Sequence, residues 1–310
     1  MDGDRIRELL AAAPGARRPV LMPGVWDALS TRLAVDADHS VVFLSGYATA
    51  ATLLGLPDFG YLTQAEIAEV ARRVCGRVPE AAVVVDGDTG HGNALNTIRT
   101  VELFEAAGAA GIFLEDQLWP KKCGHMAGKR VVAADEWLAK LRAALECRRR
   151  LFVVARTDAR AACGLPEAID RARAAAALGV DAVFVEAPES VAEMEAVAAA
   201  TPGVVRVANM IEAGRTPLLS PGELHELGYD LVVSPLSGLF AATRALGRAY
   251  EILAAKGSLR DDMELLTSFD EFNRIVDLDA HYRLEERYAQ SDALPAAQPD
   301  RAQVDNPTPG

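Results

Sequence analysis

Acidic residues follow apolar runs at several places in this sequence. Val83–Val85 leads into Asp86-Gly87-Asp88, and Ile112–Leu114 into Glu115-Asp116-Gln117. Val153–Ala155 leads into Arg156-Thr157-Asp158, and Val183–Val185 into Glu186. Carboxylates at the ends of buried segments are unfavourable unless they are paired, hydrogen-bonded or bound to a cation. Several converging on one rim would repel one another, and a hard divalent ion held through oxygen relieves that. Mg²⁺ fits such a site, with Mn²⁺ as the alternative. Zinc would call for clustered His and Cys, which the sequence does not show. Asp86 and Asp88 are two apart, so a strand running through both would point them to one side. For any single acid, pairing with Arg156 or capping a helix is the plainer reading.

A second feature is Trp119-Pro-Lys-Lys-Cys-Gly-His-Met-Ala-Gly-Lys-Arg130, a basic stretch in an acidic protein. Such a loop could close over an anionic substrate. Cys123 lies beside Lys122 and His125, cations that favour its thiolate and suit it to acid–base work. The alternative is a surface loop with an incidental cysteine.

These residues need a scaffold. Eight continuous apolar runs, without polar alternation, read as strands buried on both faces. They are Val20–Pro23, Val41–Ser45, Ala82–Val85, Gly111–Leu114, Leu151–Ala155, Ala182–Val185, Val205–Ala208 and Asp230–Val233. Helix-forming stretches lie between them, such as Thr97–Ala107, Ala134–Arg148, Pro166–Leu178 and Val191–Ala200. A weak repeat recurs at Gly108–Glu115, Gly179–Glu186 and Gly228–Pro235, where a glycine ends a helix and a strand follows. Eight βα units predict an α/β fold, a (β/α)8 TIM barrel with its active site at the C-terminal strand ends. An open doubly wound sheet is the other topology, although no Gly-x-Gly-x-x-Gly follows the first strand. Strand two then delivers Ser45, Gly46 and Tyr47 to the active rim, strand seven Asn209 and strand eight Pro235.

The 310 residues suit one large barrel, spanning 1–290, with extra helices over about 240–290. Those helices read either as a cap on the barrel bottom or as an arm onto a neighbouring subunit. Residues 291–310 read as a disordered tail. The net charge of −12 argues against nucleic acid and anionic lipid as partners. No apolar run is long enough to span a membrane. The polar start, Met1-Asp-Gly-Asp-Arg5, differs from a secretory signal, and the four cysteines show no Cys-x-x-Cys spacing. Together they predict reduced thiols in the cytoplasm.

The sequence resembles the isocitrate lyase/phosphoenolpyruvate mutase superfamily. The matching stretches are Pro23–Ser30, Gly55–Gly60, Val85–Gly90, Leu114–Gln117, Pro120–His125, Ala155–Ala159, Ala208–Glu212 and Pro235–Ser237, in order. Lys-Lys-Cys-Gly-His after Glu-Asp-Gln is the most specific. The resemblance implies a Mg²⁺ site with Asp86 nearest the ion and Asp88 beside it. It further implies that Asp58, Glu115 and Gln117 orient water on the ion. Arg156 would bind a substrate carboxylate, with Glu186, Asn209 and Pro235 in the same pocket. Ser45, Gly46 and Tyr47 would cradle the other carboxylate. Lys121, Cys123, Gly124 and His125 would belong to a gating loop, with Lys121, Cys123, His125, Glu115 and Arg156 as the catalytic set. A homotetramer that exchanges a C-terminal helix between subunits is the implied assembly.

The activity implied is cleavage of a C–C bond in a 2-hydroxydicarboxylate, of the 2-alkylmalate or 2,3-dimethylmalate type. Carboxyphosphonoenolpyruvate mutase chemistry on a phosphonate is the alternative. Oxaloacetate hydrolysis is third, since hydrolases of this group favour Ser where this chain has Pro235. Trp26 and His91 depart from the family pattern. Trp26 could narrow the pocket or simply pack, and His91 could touch substrate or face water.

Overall fold

A computed structural model describes residues 3–11, 19–124 and 128–289. The eight apolar runs all form strands: β1 (Val20–Val25), β2 (Val41–Leu44), β3 (Ala82–Asp86), β4 (Gly111–Glu115), β5 (Phe152–Thr157), β6 (Ala182–Val185), β7 (Val205–Asn209) and β8 (Leu231–Ser234). They pair in sequence order, and β8 closes in parallel onto β1. The sheet is therefore a TIM barrel and not an open doubly wound sheet.

The continuous apolar runs follow from burial on both faces. Val41, Phe43, Val84, Phe113, Val154, Phe184, Val207 and Val233 pack together inside the barrel. Their alternates, including Val42, Leu44, Val83, Val85, Ile112, Leu114, Val153 and Val183, pack against the surrounding helices. The period of two sorts every strand into an inward and an outward set.

The crossover helices carry the expected punctuation. Thr63 and Glu66 form a capping box at the start of Gln64–Arg77, and Asn93 caps Ala94–Ala107. The three repeat glycines, Gly108, Gly179 and Gly228, have φ of +94°, +86° and +82°. That is the left-handed geometry that lets a helix stop and turn into the next strand.

The barrel bottom is closed by the helix Asp4–Ala11, whose Ile6 and Leu10 join the interior cluster. Arg7 holds this helix by its Nε, 2.9 Å from Asp181 Oδ1. The N-terminal helix, which was given no role from sequence, thus caps the barrel bottom.

The C-terminal region divides. The helix Ser237–Lys256 follows β8, and the first compact unit ends at Ala255. A second unit starts at Lys256. Its helices Phe269–Ile275 and Leu278–Ala289 contain no buried residue. Residues 291–310 lie outside the described residues. Among the described residues no helix is long and apolar enough to cross a membrane.

Candidate active site

The inward set of each strand leads directly to the site. Adding two residues to the last apolar inward position of β2 to β8 gives Ser45, Asp86, Glu115, Arg156, Glu186, Asn209 and Pro235. All stand at the C-terminal ends of the strands, where barrel active sites lie. All but Glu115 line one pocket with an empty volume of about 440 Å³. Ser45, Tyr47, Asp58, Asp86, Cys123, Gly124, Arg156, Glu186, Asn209 and Pro235 line it. Its floor is Phe43, Phe113, Phe184 and Val233, one layer contributed by the even-numbered strands. The Phe43 and Phe113 rings are 4.8 Å apart and Phe113 and Phe184 are 5.7 Å apart. This apolar floor was not singled out from sequence, although the inward parity of the strands carries it.

The acids gather on one side. Asp86 Oδ2 accepts from Gly46 N–H at 3.3 Å, and its Oδ1 accepts from Asp88 N–H at 3.2 Å. β3 ends at Asp86, so the strand does not run through Asp88 as the spacing suggested. A turn brings the two acids together instead, with Asp88 at φ +47°. Lys121 Nζ lies 2.6 Å from Asp58 Oδ1 and 2.6 Å from Asp88 Oδ1. The lysine is 3% exposed, so the basic loop delivers its charge into the site. Burial alone would push the Lys121 ammonium pKa down, but Asp88, Asp58, Asp86 and Glu115 hold it well above its usual value. Burial raises Asp88 to about 7, assisted by Asp86 and Asp58 and opposed by Lys121. Burial likewise raises Glu115 well above the carboxylate range, and its Oε1 has no hydrogen-bond partner.

Arg156 stands next to Glu115 on the neighbouring strand β5. Its guanidinium contacts Asp158 (Nε to Oδ2 3.0 Å), Glu115 (Nε to Oε2 3.3 Å) and Glu186 (Nη2 to Oε2 3.4 Å). Asn209 Nδ2 donates to both Glu186 oxygens, which leaves Asn209 Oδ1 buried without a donor. Asp158 is buried too, yet Arg156 and Lys129 hold its pKa down at about 2.

The loop packs onto this cluster. Gln117 was expected to orient water on a metal ion. Its amide is engaged elsewhere: it donates to Lys122 O at 2.7 Å and accepts from Lys122 N–H at 3.0 Å. Ser45 likewise uses its hydroxyl to cap the helix Gly46–Leu54, accepting from Ala48 N–H at 3.2 Å. Gly124 lies on Glu186, where a Cβ would come 2.5 Å from Glu186 Cδ, so only glycine fits as the chain stands. Lys129 Nζ reaches Gly124 O and lies 2.7 Å from Asp158 Oδ1. Neither Lys129 nor Asp158 was assigned a role from sequence, because 29 residues separate them. Cys123 is half-buried at the pocket. His125 lies outside the described residues.

The two departures from the family pattern fall outside the pocket lining. Trp26 packs behind the wall with Ala48, Ile211, Leu236 and Leu239. His91 is half-buried, its Nδ1 3.2 Å from Thr100 Oγ1, and it lines a separate cavity.

The donors suit a hard cation. Among the described residues no three His, Cys, Asp or Glu side chains form a complete ligand cluster. Mg²⁺ does not need one, because it keeps several waters and binds one or two carboxylates plus substrate. Asp86 and Asp88 would supply the pair, and the buried Glu115 Oε1 has no hydrogen-bond partner beside them.

Comparison with known proteins decides the family. A sequence model of the family described as phosphoenolpyruvate phosphomutase matches residues 10–254. The chain belongs to this phosphoenolpyruvate mutase/isocitrate lyase family. It is 48% identical to the petal death protein of Dianthus caryophyllus, over 87% of this chain and 85% of that one. It is 50% identical to the chloroplastic carboxyvinyl-carboxyphosphonate phosphorylmutase of Arabidopsis thaliana, over 87% and 81%. Among solved structures, 2,3-dimethylmalate lyase superposes with a TM-score of 0.86 at 31% identity, covering 94% of this chain and 97% of that one. Relatives in this family are thus lyases and mutases, and the chain is an enzyme of that kind. A further family structure, phosphonopyruvate hydrolase, is complexed with oxalate and Mg²⁺ (TM-score 0.82, 26% identity, 93% and 100% coverage).

Proposed function

We propose that this enzyme is a Mg²⁺-dependent carbon–carbon lyase for a 2-hydroxydicarboxylate of the 2-alkylmalate or 2,3-dimethylmalate type. One observation carries the reading: a thiol, Cys123, shares a pocket with Asp86 and Arg156 on polar walls and with Phe113, Ile211 and Leu236 on apolar ones. Polar walls suit two carboxylates, and apolar walls suit the alkyl groups of such a substrate. The 2,3-dimethylmalate lyase neighbour supports the same substrate class.

Asp86 and Asp88 would hold Mg²⁺, or Mn²⁺ in its place. When bound, the ion lowers the pKa of a substrate hydroxyl and stabilises negative charge as it develops. Arg156 binds one carboxylate, and the helix start at Ser45, Gly46 and Tyr47 faces the other. A general base takes the hydroxyl proton, and Glu115, 3.3 Å from Arg156 Nε, helps to place that guanidinium. As that proton leaves, the C2–O bond becomes a carbonyl and the C2–C3 pair moves onto C3 and its carboxylate. The Cys123 S–H then delivers a proton to C3, releasing a 2-keto acid and a carboxylate. Lys121, held by Asp58 and Asp88, keeps Cys123 and the loop against the site while water is excluded.

Phosphonate mutase chemistry is the second reading, favoured by the 50% identity to the Arabidopsis phosphorylmutase. Oxaloacetate hydrolysis stands third, since Pro235 supplies no hydroxyl at this rim. A homotetramer in the cytoplasm is the assembly and location we propose. The aromatic residues exposed on the C-terminal helices, Phe269, Phe272, Tyr282 and Tyr288, support association, and four cysteines outside disulfides suit a reducing compartment.

The test is an NMR product assay of the purified protein with Mg²⁺. The panel is 2-alkylmalates, 2,3-dimethylmalate, oxaloacetate, 2-methylisocitrate and phosphonopyruvate. A 2-keto acid plus a carboxylate from a malate analogue supports the lyase. Rearranged ³¹P signals without carbon–carbon cleavage would move the enzyme to the mutase branch.

A further inference from the structure

Lys129 is an unusual residue for a loop. Its side chain is 1% exposed, and its ion-pair partner Asp158 is 0% exposed. A buried ammonium persists only where acceptors surround it. Lys129 has two, Asp158 Oδ1 and the carbonyl of Gly124. Each leads to a different part of the site.

The Asp158 side leads to Arg156. Asp158 Oδ1 is shared, lying 2.7 Å from Lys129 Nζ and 3.2 Å from Arg156 Nη2, while Oδ2 is 3.0 Å from Arg156 Nε. Asp158 itself is anchored, because its N–H donates to Asp116 Oδ1 at 2.8 Å. Asp116 is fixed in turn by Thr157 Oγ1 at 2.6 Å and Arg171 Nη1 at 3.1 Å. The Gly124 side leads to the loop, where Gly124 is pressed on Glu186 and adjoins Cys123.

We propose that Lys129 is a positioning residue that links the placement of Cys123 to the charge Arg156 presents to substrate. By sharing Asp158 Oδ1, Lys129 takes up part of the carboxylate's charge and leaves more of the Arg156 charge for an incoming carboxylate. Through the Gly124 carbonyl, the same ammonium holds the Cys123–Gly124 segment against Glu186. The two requirements of the reaction, a gripped carboxylate and a placed thiol, are met by one cation that touches neither substrate nor reacting atom. The proposal rests on the reading of Arg156 as a substrate-carboxylate ligand.

The test uses the full-length, Mg²⁺-loaded enzyme, with oxalate as the dicarboxylate probe. Lys129→Met and Lys129→Gln are compared with wild type, and Arg156→Lys serves as the control for the underlying reading. Oxalate affinity is measured by calorimetry. Alkylation of Cys123 by iodoacetamide under saturating oxalate is followed by peptide mass spectrometry, which separates it from Cys75, Cys147 and Cys163. A Lys129 variant that unfolds cooperatively is expected to bind oxalate at least tenfold more weakly and to lose most protection of Cys123. If Lys129→Met does not fold, Lys129→Gln, polar but uncharged and one atom shorter, is read by the same two measures. A residue of purely structural importance would lower the melting temperature and leave oxalate affinity and Cys123 protection unchanged, which overturns the proposal. If Arg156→Lys weakens oxalate and the Lys129 variants do not, the linkage alone fails. If Arg156→Lys binds oxalate as wild type does, the reading of Arg156 fails with it.

Discussion

Gly124→Ala tests how closely the loop must approach the barrel. The backbone at 124 is outside the left-handed region, so alanine is conformationally permitted there. The obstacle is contact. The new Cβ would lie 2.5 Å from Glu186 Cδ and 2.6 Å from Oε2, whereas ordinary contacts begin at 3.4 Å. Glu186 cannot easily give way, because Asn209 donates to both its oxygens and Arg156 lies 3.4 Å from Oε2. The loop must therefore shift by roughly 1 Å, and Cys123 moves with it. A displacement of that size at a reacting group lowers the rate by about 10²-fold, or about 2.7 kcal/mol in the barrier. Overpacking of this kind costs about 1–3 kcal/mol of stability, so the variant should remain folded. Formation of 2-keto acid, coupled to a dehydrogenase, gives kcat and KM, and calorimetry gives the melting temperature. A folded Gly124→Ala enzyme with wild-type kcat/KM would refute the account of the loop.

Asp86→Asn should weaken Mn²⁺ binding, read by electron paramagnetic resonance titration, by about 100-fold or more, beyond what loss of an outer partner causes. Unchanged affinity would place the ion elsewhere. Phe113→Ala removes the centre of the pocket floor, a side chain 2% exposed, and should destabilise by about 3–5 kcal/mol in urea unfolding. A loss below about 1 kcal/mol would contradict the layered packing. Asp158 is held at about 2, below the ordinary 3.8, so its stabilising contribution is complete above pH 3.8 and disappears as pH falls through 2. That contribution is on the order of 2 kcal/mol, so the stability gap between wild type and Asp158→Asn should narrow by roughly two-thirds of this amount between pH 5 and pH 2.5. A gap independent of pH would show that Asp158 is not held ionised by Arg156 and Lys129.

Much of the scaffold was legible because its signals are local. Strands such as Ala82–Asp86 and Ala182–Val185 are unbroken apolar runs, and the repeated glycine before β4, β6 and β8 marks each helix-to-strand turn. The rim residues were legible for a related reason: a polar residue that ends an inward-facing apolar series stands at the strand end. What escaped depends on contacts between distant residues. The helix Asp4–Ala11 has only Ile6 and Leu10 to bury, too few to announce a plug for the barrel. Asp88 reaches Asp86 through a turn, which residue spacing cannot distinguish from a continuing strand. The amide of Gln117 and the ammonium of Lys129 find partners only when the loop folds back on the barrel. His91 follows Asp86 and Asp88 closely in sequence, yet packs toward Thr100 and a different cavity.

The central claim is that a carbon–carbon bond breaks and that Cys123 returns a proton to the carbon released. Turnover of 2,3-dimethylmalate with Mg²⁺ in D₂O, followed by ¹H and ²H NMR, addresses both parts. The account predicts one 2-keto acid for each carboxylate, one deuterium at the newly protonated carbon, and loss of product formation in a folded Cys123→Ala enzyme. No cleavage by the wild type, or undiminished cleavage by Cys123→Ala, would contradict it.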